Sequence, residues 1–297
     1  MSTLPIENAK KFTDLSVITE APDSAVLLIH DGTGVKQISV ANLKADVKAL
    51  ITAAQATINA IATTGAGAHN AIYRGKSLGT AVTEAQWAAI KAGTFEDMYI
   101  GDYWTISGVT YRIAAFDYYY KTGDTSCGTH HVTLVPDTNM YTHVMNDTNI
   151  TTGAYVGSKM YTEGLETAKT TINSAFGEAH VLNHRQYLQN ATTDGYASGG
   201  SWYDSTVELM TEQNVYGGKI FGNQLNGTAL PNSYTVDKSQ YPLFAFRPDM
   251  ISNRAWFWLR DVVSASHFAN VHNYGYAYYN SASSALGVRP AFSIYQS

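Results

Sequence analysis

The chain is short of charge and of long apolar runs. Asp, Glu, Lys and Arg make up 14% of its 297 residues, about half the share usual in soluble domains. The net charge is -5, and the longest basic run is the pair Lys10 and Lys11. Contacts to phosphates need clustered Lys and Arg, so we expect no nucleic-acid partner. No apolar run approaches the length that crosses a bilayer, so we expect no membrane insertion.

Cysteine is nearly absent, since Cys127 is the one copy. A single thiol excludes an intrachain disulfide and a cysteine-based zinc site. We interpret Cys127 as a packed or loop thiol. Residues 1–12 also lack the apolar stretch of a secretory signal. The protein is therefore expected to be made in a cytosol, and to leave it by lysis or as part of a larger particle.

Tyrosine is abundant, with 21 copies, and a polar, tyrosine-rich run lies near the C-terminal end. No Lys, Arg, Asp or Glu occurs between Asp261 and Arg289. Tyr, Asn, Ser and His fill 13 of the 21 positions from 266 to 286. Tyr gives a large amphipathic contact at low entropic cost, and Ser, Gly and Asn add adaptable hydrogen bonding. This composition is typical of a binding surface, here expected to be held between two rigid strands.

The first part of the chain, residues 1–64, is predicted to be an attachment and oligomerisation segment. Apolar runs at 16–18, 25–30 and 35–40 include a hairpin signal at residues 31–34 (DGTG). Asn42 is then expected to cap a helix over residues 43–62. Its heptad-like seam predicts self-association through Leu43, Val47, Leu50, Ala54 and Ile61. The alternative is an amphipathic helix that packs on its own domain.

Residues 65–297 are predicted to form one larger domain of the α+β class. A small-residue linker at 63–68 (TTGAGA) marks the boundary. Thr83 is expected to cap a helix that ends at Gly93, and Ser107 and Gly108 to turn a hairpin. The other expected elements are strands at 99–106, 109–116 and 132–135 and helices at 165–176 and 205–216.

The end of this domain resembles a known fold family. The matching residues are 256–260 (WFWLR), Ala269, Val271, Gly275 and 287–292 (GVRPAF). They resemble the C-terminal signature of C-type-lectin-like domains of the formylglycine-generating-enzyme type. Residues 102–105 (DYWT) and 135–137 (VPD) resemble phage proteins that carry such domains. The resemblance implies short strands with two or more helices, and it implies a virion adhesin.

The first part is similar to the segment that opens many phage tail, baseplate and head-fibre proteins. The similarity lies in residues 23–28 (DSAVLL), 31–32 (DG), 36–38 (KQI) and 41–43 (ANL). It implies that residues 1–64 attach the chain to other virion proteins, and that the protein is a homotrimer located in the virion. The binding domain would then contact a host surface protein or glycan.

The resemblance also implies a set of ligand-binding positions. Some family members are diversified by a retroelement that changes adenines, and Asn, Tyr, Ser and His are all reached from an Asn codon in this way. The corresponding residues here are His267, Asn270, His272, Asn273, Tyr274, Tyr276, Tyr278, Tyr279, Asn280, Ser281 and Ser283. The alternative is a polar surface loop of fixed sequence.

Catalysis is not expected. The enzymes of this fold type use a cysteine pair, which Cys127 alone does not supply. The carboxylates Glu96 and Asp97 lie in a turn, and nothing places them on either side of a bond as glycoside cleavage requires. The calcium-binding strings of sugar-binding lectins are absent. We therefore predict neither a cofactor nor turnover.

Two histidine pairs are candidates for a metal site. His180 and His184 have the i, i+4 spacing that places two imidazoles on one helix face, but the glutamate of zinc proteases is missing. His130 and His131 precede an apolar strand, so at most one faces a given side. We predict no metal at either pair.

Charged residues near the tyrosine-rich run have two interpretations. Arg289 either anchors a strand end through backbone carbonyls or Asp261, which we favour, or binds a ligand carboxylate. Asp249 and Asp261 are expected to make structural hydrogen bonds or pair with a nearby arginine. The function predicted from the sequence is phage receptor binding; the alternatives are a structural capsid or tail decoration and a lectin-like enzyme. Exposure of residues 274–279 separates the first two.

Overall fold

The computed structural model describes residues 24–30, 32–61, 65–222 and 239–297; the side chains of residues 29–30 and 54–61 fall outside that description. The apolar run predicted at 16–18 lies outside the described residues. The chain forms two compact units, residues 1–62 and 63–297, and the predicted boundary followed residue 64. No helix of the described ranges is long and apolar enough to span a membrane.

The first unit contains a hairpin and one helix. Strands β1 (Val26–His30) and β2 (Val35–Ser39) pair antiparallel, as the hairpin signal predicts, and helix α1 (Val40–Ile61) follows. The predicted cap is wrong, because the Ser39 hydroxyl accepts the Asn42 backbone N–H at 3.1 Å. Serine favours this position for the same reason as asparagine, so the helix begins three residues before the predicted start.

The second unit is a mixed α+β domain, and its elements follow in chain order. Its helices are α2 (Ala66–His69), α3 (Glu84–Ala92), α4 (Glu166–Phe176), α5 (Glu212–Tyr216) and α6 (Pro242–Phe246). Its strands are β3 (Ser77–Gly79), β4 (Tyr103–Ile106), β5 (Val109–Phe116), β6 (Val132–Pro136), β7 (Tyr141–His143), β8 (His184–Thr193), β9 (Tyr196–Ser205), β10 (Val207–Leu209), β11 (Phe257–Val262), β12 (His267–Val271), β13 (Ala277–Ser281), β14 (Leu286–Val288) and β15 (Pro290–Ile294).

Two sheets organise this unit. The six-stranded sheet has the order β10-β15-β6-β5-β4-β3, the five-stranded sheet has the order β13-β12-β11-β14-β7, and β8 and β9 form a separate hairpin. Side chains alternate across β11: Phe257 and Leu259 join the core shared with the six-stranded sheet, whereas Trp258 joins a smaller core on the other face. Both faces of β11 are buried, so the centre of the five-stranded sheet is closely packed, and β13 lies at its edge.

Most predicted elements are confirmed. Helix α3 has a capping box between Thr83 and Gln86 and ends at Gly93, whose φ of 68° is left-handed. Strands β4 and β5 turn at residues 107–108, although β4 starts at Tyr103 rather than Tyr99. The helix expected at 165–176 is α4, and the strand expected at 132–135 is β6.

The helix predicted at 205–216 is wrong over most of its length. Ser205 ends β9, residues 207–209 form β10, and only α5 is helical. All three residues of β10 are buried, and they pair with β15. Tertiary pairing therefore overrides the apparent helical spacing. Thr211 then starts α5 with a capping box to Asn214.

The histidine pair at 180 and 184 does not share a helix face. His180 ends a single helical turn, and its ring stacks on Trp87 with centroids 4.4 Å apart. His184 begins β8, is buried, and packs its ring 3.7 Å from Tyr119. His131 is buried as well, and its Nε2 accepts the Tyr119 backbone N–H at 3.0 Å. Within the described residues, no three His, Cys, Asp or Glu side chains are grouped to hold a metal ion.

The buried histidines make stability depend on pH. Burial lowers the pKa of His184 to about 3, and burial also lowers the pKa of His131. Unfolded histidine titrates near about pH 6.5. Between these values the unfolded chain binds a proton that folded His184 does not, so acidification destabilises the fold by up to about 1.4 kcal/mol per pH unit for this group.

We therefore predict that the free energy of unfolding, measured by chemical denaturation, decreases as the pH is lowered from 7 to 4. His184→Phe should make this decrease per pH unit smaller. The slope between pH 7 and 8, where His184 is neutral in both states, serves as the internal control. An equal slope in both proteins at pH 4–7 would show that His184 takes up its proton without unfolding.

Candidate binding surface

The tyrosine-rich run forms a hairpin of its own. Strands β12 and β13 pair antiparallel from His267 with Ser281 to Val271 with Ala277, and residues 272–276 make the turn. The run lies in sequence between β11 and β14, as expected of a surface held between two strands, and it forms strands itself. Phe, Val and Tyr favour a half-buried pleated surface, and Phe268, Ala269 and Val271 are buried in the two cores. The inner strand, β12, is packed into the domain, and the outer strand, β13, carries exposed side chains.

Four tyrosines of this hairpin are exposed. The exposed fractions are 79% for Tyr274, 49% for Tyr276, 39% for Tyr278 and 38% for Tyr279. We call these four side chains, together with the rings of His272 and Trp256, the tyrosine surface. It is contiguous along the outer strand and the turn.

Ring contacts hold the part of the tyrosine surface near the turn. The His272 ring stacks on Tyr276, with centroids 4.1 Å and planes 15° apart. The centroid of the Trp256 ring lies 3.9 Å from that of His272 and 5.5 Å from that of Tyr278. Such pairs contribute about 0.5–1.5 kcal/mol each beyond the area that they bury. The exposed rings are thus supported from below by an aromatic layer.

The rings of Tyr278 and Tyr279 lie side by side at the sheet edge. Their centroids are 5.3 Å and their planes 9° apart. The Phe221 ring packs 5.1 Å from Tyr279. The buried Glu212 carboxylate holds Phe221 in place, because it accepts the backbone N–H groups of residues 220, 221 and 222 at 2.7–3.1 Å. Burial, with the neighbouring Asp261, raises the pKa of Glu212.

The tip of the hairpin is tied to the rest of the domain. The Ser252 hydroxyl donates to the Asn273 carbonyl at 2.8 Å, and the Tyr216 hydroxyl donates to the Gly275 carbonyl at 3.1 Å. Burial raises the pKa of Tyr216, so its hydroxyl keeps the proton that it donates. Gly275 has φ +92°, and a Cβ there would lie 3.1 Å from the Ser252 Cβ. Glycine is therefore required at the point where the tip approaches Ser252.

The remaining predicted site residues have mixed positions. His267 contacts the hydroxyls of Ser264 and Ser266 through Nδ1 at 2.9 and 2.8 Å. Ser283 is exposed, and its hydroxyl donates to Asn149 Oδ1 at 2.6 Å. Three are half-buried on the hairpin: Asn273, Asn280 and Ser281.

Asn270 is not at the surface, and its predicted place in the ligand-binding set is wrong. Its side chain is fully buried, and neither amide atom has a hydrogen-bond partner among the described residues. It lies on the inner strand, opposite Tyr278 on one side and Trp258 on the other. Composition alone groups Asn270 with Asn273 and Asn280, because the sequence does not show that a neighbouring strand covers Asn270.

A cleft beside the hairpin tip was missed by sequence reasoning. It has a volume of about 460 Å³ and is lined by Asp249, Ser252, Arg254, Asn273 and Tyr274. Only Asn273 and Tyr274 belong to the tyrosine-rich run. The other three come from the segment before β11, where nothing in their own sequence shows which distant turn they will meet.

Arg289 has the structural role that the sequence favours. It is buried, and its guanidinium donates to the carbonyls of Pro136, Met250 and Ile251 at 2.8–3.2 Å. Burial lowers its pKa to about 10, which still leaves it charged at neutral pH. The expectation for Asp249 and Asp261 is confirmed: Asp249 pairs with Arg247, and Asp261 makes a structural hydrogen bond by accepting the Glu212 backbone N–H at 2.7 Å.

Comparisons of the chain with family models, with curated proteins and with solved structures found no match.

The buried amide of Asn270 leads to a stability prediction. A buried amide without partners costs about 1–3 kcal/mol, and leucine is of similar size and apolar. We expect Asn270→Leu to raise the free energy of unfolding by about 1 kcal/mol, measured by chemical denaturation. Asn280→Leu, on the half-buried outer strand, is the matched control and should not stabilise. A loss of stability in Asn270→Leu would show that its amide is satisfied in the folded protein.

Proposed function

We propose that the protein is a phage virion adhesin that binds a host surface protein or glycan, without covalent chemistry, through the tyrosine surface. The second unit would have the C-type-lectin-like fold of the formylglycine-generating-enzyme type that its closing residues resemble. One observation carries the proposal: four tyrosines project from an edge hairpin whose inner strand and tip are fixed to the domain.

Exposure of these rings favours binding. Exposed apolar surface that is contiguous marks interaction sites more often than chance, and Tyr is enriched where proteins bind other molecules. Within the tyrosine surface no side chain carries a fixed charge, so a ligand need not displace an ion pair. The hydroxyls remain available for hydrogen bonds with a polar partner.

Restraint of the hairpin also favours binding. Ordering a mobile side chain on binding costs about 0.5–1.5 kcal/mol. The contacts of His272 with Tyr276, and of Ser252 with the Asn273 carbonyl, fix part of this order before a ligand arrives. A restrained surface keeps more of its contact energy as affinity.

The arrangement suits diversification by a retroelement. Tyr274, Tyr276 and Tyr278 are exposed, so other residues at these positions would change the surface and leave the core intact. The buried strand residues Phe268 and Val271 carry the fold instead. Asn270 is the exception among the predicted positions, because it is enclosed.

The first unit supports self-association, and we include a homotrimer and attachment to other virion proteins in the proposal. Val40 is the one buried residue among those of the first unit whose burial is described. Leu43, Val47 and Leu50 are exposed at spacings of four and three. A lone two-stranded hairpin is marginally stable, and a unit of about 60 residues buries a smaller fraction of its surface than a larger domain does. The side chains of Ala54 and Ile61, also predicted at this seam, are outside the described set.

Three copies would increase attachment strength. Linking weak sites on one particle makes later binding events intramolecular, so avidity exceeds the affinity of one site. Modest binding by each tyrosine surface would then suffice.

The alternative function, a structural capsid or tail decoration, requires a sister subunit or virion protein to cover the tyrosine surface.

We predict that Tyr276→Ala combined with Tyr278→Ala removes attachment of the labelled full-length protein to intact cells in a panel of bacterial strains. Truncating a hot-spot aromatic at an interface costs about 2 kcal/mol or more. The protein should stay folded, but its midpoint of thermal unfolding should fall by several degrees, because the ring contacts of Tyr276 and Tyr278 with their neighbours are lost.

Tyr196→Ala is the matched control, since Tyr196 is 52% exposed on the separate β8–β9 hairpin. It should bind as the wild type does. Equal attachment by the double variant, or no attachment of the wild type to any strain, would count against the adhesin and favour a decoration.

We also predict that the full-length protein has about three times the 32.3 kDa chain mass by light scattering. Val47→Glu with Leu50→Glu should shift it to one chain, because buried carboxylates at a helix seam are costly. Lys48→Glu, on the same helix, is the control for added negative charge and should stay trimeric. A monomeric wild type would rule out trimerisation through α1.

A further inference from the structure

The cleft beside the hairpin tip differs in chemistry from the tyrosine surface that it adjoins. Tyr274 belongs to both, so a ligand on the surface can extend into the cleft. The other lining side chains are polar or charged: Asp249, Ser252, Arg254 and Asn273. The cleft is thus a polar extension of an aromatic surface.

Arg254 gives the cleft a positive charge. Asp249, the acid in the lining, is already paired, because Arg247 donates to both of its carboxylate oxygens at 2.8 and 2.7 Å. The Arg254 side chain is exposed, and no carboxylate of the described residues pairs with it. The cleft therefore presents a guanidinium whose charge is not compensated locally.

The backbone holds Arg254 in an unusual conformation. Its φ is 62°, in the left-handed region, which costs a non-glycine residue energy and is often found at functional positions. Its N–H donates at 3.2 Å to the Ser252 hydroxyl, which itself donates to the Asn273 carbonyl. One serine thus places both Arg254 and the hairpin tip. Nothing in the packing requires an arginine here, since the side chain is exposed.

We propose that this cleft binds the carboxylate of an acidic sugar in a host-surface glycan, with Arg254 as the anion-binding residue; this rests on the proposed adhesin function. Guanidinium groups bind carboxylates through two parallel hydrogen bonds. The electron-rich face of Tyr274 suits the C–H groups of a sugar ring.

A glycan fits the lining better than a protein does. Protein interfaces concentrate their energy in apolar pockets that exclude water. Here one aromatic ring stands beside a guanidinium, an amide and a hydroxyl. Sugars carry many hydroxyls and expose apolar C–H patches, so they use both kinds of group. A carboxylate on the sugar accounts for the unpaired charge of Arg254.

The test uses a printed panel of oligosaccharides that contain uronic or sialic acids, each beside its carboxyl-reduced alcohol. We expect the full-length protein to bind at least one acid, and the reduced partner about tenfold more weakly or worse, as loss of a charge-assisted bond implies. Arg254→Asn should lose binding by a similar factor, and Arg254→Lys less. Asn tolerates the left-handed backbone, so this variant should fold. Lys91→Gln, which removes an exposed charge elsewhere, should bind normally.

Equal binding of acids and alcohols, no binding of any acid, or full binding by Arg254→Asn would overturn the assignment. Attachment to intact cells separates it from the adhesin proposal. If Tyr276→Ala with Tyr278→Ala loses attachment while Arg254→Asn keeps it, the cleft assignment fails and the adhesin stands. If protease treatment of the cells removes attachment and periodate oxidation of their glycans does not, the ligand is a protein and the assignment fails.

Discussion

The buried guanidinium of Arg289 connects the core to the candidate binding surface. It donates to Pro136 in the six-stranded sheet and to Met250 and Ile251 in the segment before β11, and it lies against the rings of Phe244 and Phe257. A desolvated charge is costly unless its hydrogen bonds are made, which fixes these three carbonyls tightly. Ile251 directly precedes Ser252, the residue that holds the hairpin tip. The position of the exposed tyrosines therefore depends on a charge in the core.

The hairpin combines two requirements that usually conflict. A binding surface needs exposed aromatic rings, whereas an edge strand with such rings risks aggregation. Here the inner strand is buried on both faces, and Trp256, His272 and Phe221 support the outer rings from their own domain. The tyrosine hydroxyls and the surrounding amides keep the edge polar. The buried inner strand and the supporting rings fix the hairpin. The outward side chains can therefore differ, to suit a ligand, without changing the fold.

Local signals were enough to predict part of the fold. The capping box at Thr83, the turn at residues 107–108 and the hairpin of the first unit depend on neighbours in sequence, and the structure has all three. Strand β10 was missed because pairing with β15, more than eighty residues away, decides its conformation. Composition found the exposed tyrosines of the site. Composition could not exclude Asn270, because its burial depends on a neighbouring strand from another segment. It could not identify Arg254, because the position of Arg254 beside the hairpin tip depends on contacts between distant segments.

Protection of tyrosines from chemical labelling tests the central claim most directly. The full-length protein, free and bound to intact host cells, would be treated with a tyrosine-selective reagent and the modified positions read by mass spectrometry. The account predicts that Tyr274, Tyr276 and Tyr278 are labelled in the free protein and protected on the cells, while Tyr196 is labelled in both. Labelling of all four that does not change on binding, or no labelling of the hairpin in the free protein, would contradict it.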